Sequence, residues 1–307
     1  MLRQTVEALL GQEYPNLEII IVNDRSTDST CEIIETMAAA DARVRGVNIE
    51  HLPAQWLGKV HALHTGTQMA RGEWMLYTDA DVHFQPGTLY KAIAFALARQ
   101  CDHLTLWPRF RTRSFWLEVV TVAFNLRFLN ATKPADLDIP ESTSAIGVGA
   151  FNLVRKATLD KTEGFPWLRM EAVDDVGLGL LLKRAGARSC FAFARQHLSL
   201  EWYPSITAMF KGLEKNFFGA GAHYSYLYMA WFVGFLWALV LAPLIAIGYP
   251  SVPFLWLIGV AAYLVLIIVI LMVTIRLKTP FLPGLFVPIG YLVLSLMMVH
   301  AGVMCKR

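Results

Sequence analysis

Three apolar runs close this chain: Leu227–Gly248, Val252–Ile275 and Phe281–Met304, each more than 20 residues long. A helix of about 20 apolar residues is long enough to cross the hydrocarbon core of a bilayer. Three in succession make this end of the chain a membrane region. Arg276 and Lys278, between the second and third runs, mark a cytoplasmic loop by their positive charge. A cytoplasmic N-terminal domain then sends its first membrane helix outward. The second helix returns, and the third leaves again or is re-entrant. Pro243, Pro283 and Pro288 are placed to kink or shorten two of these helices. The expectation is a multi-pass protein of the cell membrane.

Charge divides the chain in the same place. Beyond Asn216 there is no Asp or Glu, and the basic residues are Arg276, Lys278, Lys306 and Arg307. Removing those four from the 27 Lys and Arg leaves 23 against 24 acidic residues in the first 216. The front is therefore near-neutral and globular in composition, although the whole chain has a mean hydropathy of +0.44. This predicts two parts, a catalytic domain over 1–216 and a membrane region with about three transmembrane helices over 217–307. The overall net charge of +3 arises in the tail, so no nucleic-acid partner is expected. Cys31, Cys101, Cys190 and Cys305 are scattered, with no Cys-x-x-Cys pair. That spacing argues against a zinc site or a disulfide framework and suits a reducing cytosol. Leu2, Val6, Leu9 and Leu10 recur at helical spacing, so the chain opens on a helix rather than on a signal-peptide pattern.

Strands and helices alternate through the front. Leu17–Val22 is a β-branched run with the look of a buried strand, and Asp28 or Ser29 caps the helix Thr30–Ala40. A second strand within 43–52, a helix from Gly58 and the strand Trp74–Thr78 follow. This order predicts an α/β fold, a mainly parallel sheet with helices on both faces. Ser144–Val154 reads as a Gly-broken strand, and Asp174–Ala185 as a helix closed by Gly186. Ser114–Ala131 is helical but apolar on most of its surface, which fits either a buried helix or one lying in a membrane interface.

Trp74–Thr78 runs out into Asp79 and Asp81. Ligands of open α/β sheets sit just past the carboxyl ends of strands. Two carboxylates one residue apart there suit a hard divalent cation, Mg²⁺ or Mn²⁺, shared with a substrate diphosphate. The plainer alternative for Asp-x-Asp is a solvated acidic turn. Asp174-Asp175 opens its helix, where two carboxylates also favour the helix dipole. The eight histidines form no metal-binding pair, and Walker and Gly-x-Ser-x-Gly motifs are absent.

Four motifs in order carry a resemblance. Ile19-Ile-Ile-Val-Asn-Asp-Arg-Ser-Thr-Asp28, Gly58-Lys59 with Ala62-Leu63, Asp79-Ala-Asp81, and Asp174-Asp175 before Leu178 and Gly186 resemble glycosyltransferase family 2 over roughly residues 1–220. With the apolar tail, the likeness is to membrane-anchored members of the ceramide glucosyltransferase-like and hopene-associated kinds. It implies a GT-A-like catalytic domain, a nucleotide diphosphate sugar donor (UDP-linked) and a membrane-lipid hydroxyl as acceptor. It further implies inversion at the anomeric carbon. By the same resemblance Asp24 contacts the base, Asp28 and Lys59 line the nucleotide site, and Asp79 meets the ribose or diphosphate. Asp81 holds the metal, and Asp175, with Asp174 beside it, is the general base. Ser142–Gly149 lines the acceptor pocket, and the helix within 114–131 helps bring the acceptor out of the bilayer.

Two departures accompany this. The chain opens about one strand later than the family pattern. The Gln-x-x-Arg-Trp motif of membrane members has no clear counterpart, with Trp202 and Lys215 as stand-ins. The rival readings are a polyprenyl-phosphate glycosyltransferase, whose acceptor needs no base, and a non-catalytic membrane protein that retains the fold.

Overall fold

The computed structural model describes residues 1–137, 139, 142–222, 225–276 and 279–304, without the side chains of 215, 216, 219–222 and 276. The Lys215 side chain, the Arg276 side chain, Lys278 and Lys306-Arg307 thus fall outside the described residues. The chain forms two compact units, Met1–Arg111 with Thr132–Glu201, and Thr112–Ala131 with Trp202–Arg307.

In the first unit α1 (Leu2–Leu10) buries Thr5, Val6 and Leu9. The Thr5 hydroxyl donates to the Ala80 carbonyl at 2.9 Å, which ties α1 to the turn between Asp79 and Asp81. The β-branched run forms β1 (Ile19–Asp24), parallel to β2 (Val44–Ile49) across α2 (Thr30–Ala40). Then come α3 (Gly58–Met69), β3 (Trp74–Tyr77), β4 (His83–Phe84), α4 (Thr88–Ala98), β5 (His103–Trp107) and β6 (Arg109–Phe110).

After α5 (Phe115–Thr132) the chain re-enters this unit through β7 (Asn152–Arg155), α6 (Lys156–Leu159), α7 (Asp174–Arg184), β8 (Ser189–Phe193) and β9 (Leu198–Leu200). The main sheet has the order β3-β7-β5-β8. Here β5–β8 is parallel, and β7 runs antiparallel to both β3 and β5. A small sheet, β4-β9-β6, completes the α/β unit. Of the expected Gly-broken strand over Ser144–Val154, only Asn152–Arg155 joins a ladder. The rest is largely buried and turns at Gly149-Ala150, where the Gly149 N–H bonds to α7 and the Gly149 and Ala150 carbonyls accept from Asp79 and Thr78.

One core cluster joins the elements that carry the site. Val60 of α3, Met75 of β3, Val154 of β7 and Leu178, Leu181 and Leu182 of α7 pack together with Phe165 and Leu168. Each fully buried Leu contributes about 1.5–3 kcal/mol relative to exposure. The three leucines of α7 sit at helical spacing, so this packing also sets the direction in which Asp174 and Asp175 face.

The cysteine reading needs correction. Cys101 and Cys190 form a disulfide with Cα atoms 6.0 Å apart, 89 residues apart in sequence. Register explains the pairing: β5 and β8 are parallel neighbours with Leu104 opposite Cys190, and Cys101 lies just before β5. Sequence spacing carries no trace of such a bond, so it supports no inference about the redox compartment.

In the second unit α8 (Ile206–Ala222), α9 (Tyr226–Ile247), α10 (Pro253–Arg276), α11 (Phe281–Leu285) and α12 (Val287–Met304) follow. Tyr226–Ile247, Pro253–Ile275 and Val287–Met304 are long and apolar enough to cross a membrane. The third apolar run is cut into α11 and α12, with Pro283 in the first and Pro288 in the first turn of the second. At ~1.5 Å per residue, α12 is about as long as the hydrocarbon core is thick. Within this unit α5 is a core helix. Leu117, Val120, Ala123 and Leu126 are buried with Met209, Leu213, Ile270, Leu294 and Met297. Burial thus accounts for much of its broadly apolar surface, and its partners Ile270, Leu294 and Met297 belong to helices long and apolar enough to cross a membrane. Trp202 packs on Phe124 of α5 at 4.5 Å.

Candidate functional site

Lys59, Tyr77, Thr78, Asp79, Gly149, Asn152, Asp174, Asp175 and Leu178 line one pocket, so three of the four sequence motifs meet there. The antiparallel ladder brings them together. Tyr77 of β3 opposes Asn152 of β7, and beyond that pair the Asp79 N–H donates to the Gly149 carbonyl at 2.8 Å. The Thr78 hydroxyl donates to the Ala150 carbonyl at 2.9 Å. On its other side the Gly149 N–H donates to Asp175 Oδ2 at 2.9 Å. Gly149 therefore links the Asp79 backbone at the strand end to the Asp175 carboxylate at the helix start.

Glycine is required for that approach. A Cβ on Gly149 would overlap the Asp79 carboxylate, and one on Gly147 would overlap the Asp175 carbonyl. The small residues of Ser142–Gly149 do give close backbone approach, and what they approach is Asp79 and Asp175. Gly147→Ala is expected to cost about 1–3 kcal/mol of stability, as overpacking does. A lowered thermal midpoint in detergent measures this, and an unchanged midpoint would mean that α7 shifts freely.

Lys59 is the positive centre of the cluster. Its Nζ lies 3.0 Å from Asp79 Oδ1 and 3.3 Å from Asp174 Oδ2, with the side chain about half exposed. The neighbouring carboxylates hold the ammonium firmly charged against the opposing effect of burial. Asp174 is 9% exposed, and burial raises its carboxyl above the ordinary range although Lys59 pulls it back. Asp175 accepts from Gly149 N–H and, at 2.8 Å on Oδ1, from Val176 N–H. Burial and then the charge of Asp174 push it up to about 6. A carboxyl poised near neutrality inside a pocket suits proton transfer.

Asp81 differs from the others. Burial first, and then the Asp79 charge, raise its carboxyl. Among the described residues it makes no ion pair, whereas Asp79 is paired with Lys59. Hard oxygen donors on one turn, with an unneutralised carboxylate, fit a divalent cation. Among the described residues no three His, Cys, Asp or Glu side chains converge as a ready metal cage. A cation here would take Asp81, beside Asp79, and complete its shell from a diphosphate or water.

Asp81 itself does not line the pocket, and Asp24 and Asp28 also lie apart from its lining. Asp24, at the end of β1, is clamped by Arg25, with Nε 2.8 Å from Oδ1. Its other oxygen crowds Gly58, the residue before Lys59. Hydrogen bonding from the Thr30 side chain, and then from the Thr30 N–H 3.0 Å from Oδ1, lowers the Asp28 carboxyl. The N-cap position of α2 is Ser29, whose side chain makes no cap bond, and Asp28 just before it supplies the acceptor for the first helical N–H. Asn152 and Tyr77 line the pocket without having been singled out from sequence. For Asn152 the signal was present, a lone amide inside Phe151-Asn-Leu-Val154, since a polar side chain in a buried strand requires hydrogen-bond partners.

Residues 1–162, more than half of the chain, match the family model described as glycosyl transferase family 2. A 4,4'-diaponeurosporenoate glycosyltransferase of Staphylococcus haemolyticus is 23% identical over 232 residues, covering 73% of this chain and 61% of that protein. A putative teichuronic acid biosynthesis glycosyltransferase of Bacillus subtilis, TuaG, is 30% identical over 100 residues, covering 33% of this chain and 38% of the relative. The chain therefore spans less than two thirds of either relative. Among solved structures, the mannosyltransferase PcManGT of Pyrobaculum calidifontis, in complex with GDP-Man and Mn²⁺, superposes with a TM-score of 0.52 at 17% identity. That match covers 97% of this chain and 83% of the other. The likeness is one of fold, GT-A-like α/β followed by apolar helices.

Proposed function

Because this chain belongs to glycosyl transferase family 2, we propose that it moves a sugar from a UDP-linked donor to the hydroxyl of a membrane lipid, with inversion. The observation that carries this is the cluster of Lys59, Asp79, Asp174 and Asp175 joined through Gly149. Asp24 accepts an N–H of the base, and the Asp28 loop borders that site. Lys59 and Asp79 border the ribose and diphosphate. Asp81 holds Mg²⁺ or Mn²⁺, which when bound offsets the charge that builds on the departing diphosphate. Asp175 takes the proton of the acceptor hydroxyl as its oxygen attacks the anomeric carbon. The bond to the diphosphate breaks with its electron pair leaving on the diphosphate. Asp174 keeps Lys59 between the two carboxylate pairs.

The three apolar helices support a multi-pass place in the cell membrane with the α/β unit in the cytoplasm, where nucleotide sugars are made and a lipid acceptor lies close. Division into a catalytic part over 1–216 and a membrane part over 217–307 remains part of this reading. Transfer of labelled glucose from UDP-glucose into a bacterial lipid extract by the detergent-solubilised chain tests it. Label that enters only water-soluble product would refute a lipid acceptor.

Lys59 sets the working pH in this scheme. Its charge lowers the carboxyls of Asp174 and Asp175, so its loss raises both. The base works deprotonated, and transfer is expected to fall on the acid side with a midpoint near the Asp175 value of about 6. The midpoint belongs to the interacting pair. In Lys59→Met that limb is expected to move upward by about one unit or more, which means roughly tenfold less transfer at pH 6 and partial recovery at pH 8.5. A pH–rate profile measures this, and a limb that stays in place would remove Lys59 from the electrostatics of the base.

A further inference from the structure

A buried polar chain runs beneath Asp175 and plays no part in the chemistry described so far. His103 on β5 and Thr105 two residues on are both 0% exposed, and Asn152 on β7 and Ser189 on β8 are 2% and 4% exposed. Ser189 Oγ lies 3.1 Å from His103 Nδ1, and His103 Nε2 lies 3.1 Å from Asn152 Oδ1. Thr105 donates to the same Asn152 oxygen at 2.9 Å. The Asn152 amide then donates to the backbone carbonyl of Asp175 at 3.4 Å.

Donor and acceptor inventory gives this chain a direction. Asn152 Oδ1 can only accept, so His103 Nε2 carries the hydrogen. A neutral imidazole then accepts at Nδ1, and Ser189 supplies the proton. Burial holds His103 well below its ordinary value, to about 4, so the ring stays neutral wherever the protein works. Every link thus points one way, from Ser189 through His103 and Asn152 to the Asp175 carbonyl. Burying four polar side chains costs free energy unless each is satisfied, and apolar residues of similar volume would fill the space as well. The chain also ends at the residue whose carboxyl lines the pocket. Its last link, at 3.4 Å, is the longest.

We infer that His103 and Asn152 are positioning residues, which hold the first turn of α7 so that the Asp175 carboxylate stays aimed into the pocket. The inference rests on Asp175 being the base. Gly147, whose lack of a side chain lets its backbone lie against the Asp175 carbonyl, bounds the same group from another direction. Asp175 is thereby fixed at its carbonyl by the polar chain and at its carboxylate by Gly149 and Val176.

The test uses the full chain in detergent with His103→Leu, His103→Gln, Ser189→Ala and Asp175→Asn. Nucleoside diphosphate release is followed from UDP-glucose, and from GDP-mannose in parallel, with diacylglycerol in phosphatidylcholine vesicles as the hydroxyl acceptor. Misplacing a reacting group by about 1 Å can cost ~100-fold. His103→Leu is therefore expected to lower kcat about 10–100-fold with donor KM within about threefold. Gln at 103 can accept from Ser189 and donate to Asn152, so His103→Gln should restore most of the rate. Ser189→Ala should show a smaller loss in kcat alone. Unchanged kcat in Ser189→Ala and His103→Leu would overturn the inference. So would a joint fall of kcat, donor affinity and thermal midpoint that His103→Gln does not rescue. If His103→Leu does not fold, Ser189→Ala decides alone. Full activity in Asp175→Asn would instead refute the base, and the positioning role with it. An inactive Asp175→Asn beside normal His103 and Ser189 variants would refute the positioning role only.

Discussion

Asp175→Asn is expected to lower transfer by about 10²–10⁴-fold, the usual contribution of a general base, while donor affinity stays within about threefold. The amide keeps the shape and one acceptor oxygen, enough for either the Gly149 or the Val176 N–H but not both, and cannot take a proton. A stability effect of opposite sign is expected with it. The folded carboxyl titrates near 6, above the model-peptide value of 3.8. A group raised in this way favours the fold fully below about pH 4, and that contribution is lost as pH climbs through about 6. At pH 8 the buried charge works against the fold, so the stability of the Asn variant relative to the wild type should rise by about 1–3 kcal/mol between pH 4 and pH 8, offset at both by the backbone N–H that its amide leaves unpaired. Loss of activity with a thermal midpoint that gains on the wild type from pH 4 to pH 8 is the signature of a functional carboxylate. Normal transfer by Asp175→Asn would point to an acceptor that is already anionic, such as a polyprenyl phosphate.

Asp81→Ala is expected to remove metal-dependent donor binding and to lower transfer about 10³-fold or more, since a bound cation contributes several kcal/mol to a departing diphosphate. The variant should fold. Asp81 makes no ion pair among the described residues, and the turn is held from α1 through the Ala80 carbonyl, a backbone group that the substitution leaves in place. Titration of Mn²⁺ against donor binding separates the two carboxylates. Asp79→Ala should also release Lys59 and shift the pH profile, whereas Asp81→Ala should leave that profile alone and abolish the metal response.

How far these features were legible in the sequence follows from how local each one is. The apolar helices were readable because length and composition alone decide them. Asp79 and Asp81 were readable because a strand end and a one-residue spacing are local, as was the helix start at Asp174. The meeting of Asp79 and Asp174 in one pocket, which Asp81 does not line, depended on an antiparallel strand, β7, for which Phe151-Asn-Leu-Val154 offers no directional cue. Gly147 and Gly149 were legible as small residues, but the groups they approach were not, since those lie more than 20 residues away along the chain. The Cys101–Cys190 bond was invisible for the same reason. For Phe115–Thr132 the sequence allowed two environments, because an almost wholly apolar helix satisfies both a protein core and a membrane interface. The structure buries most of it among the other helices of its unit.

Donor binding by the full chain in detergent is the most direct measurement. UDP-glucose and GDP-mannose are titrated calorimetrically with and without Mn²⁺, with Asp81→Ala as control. Binding of a nucleotide sugar that strengthens with Mn²⁺ and loses this dependence in Asp81→Ala is the expected result. A chain that binds neither donor under any metal condition, while its thermal midpoint shows it folded, would contradict a donor site at the Asp79–Asp81 turn and leave a membrane protein that has the fold without the reaction.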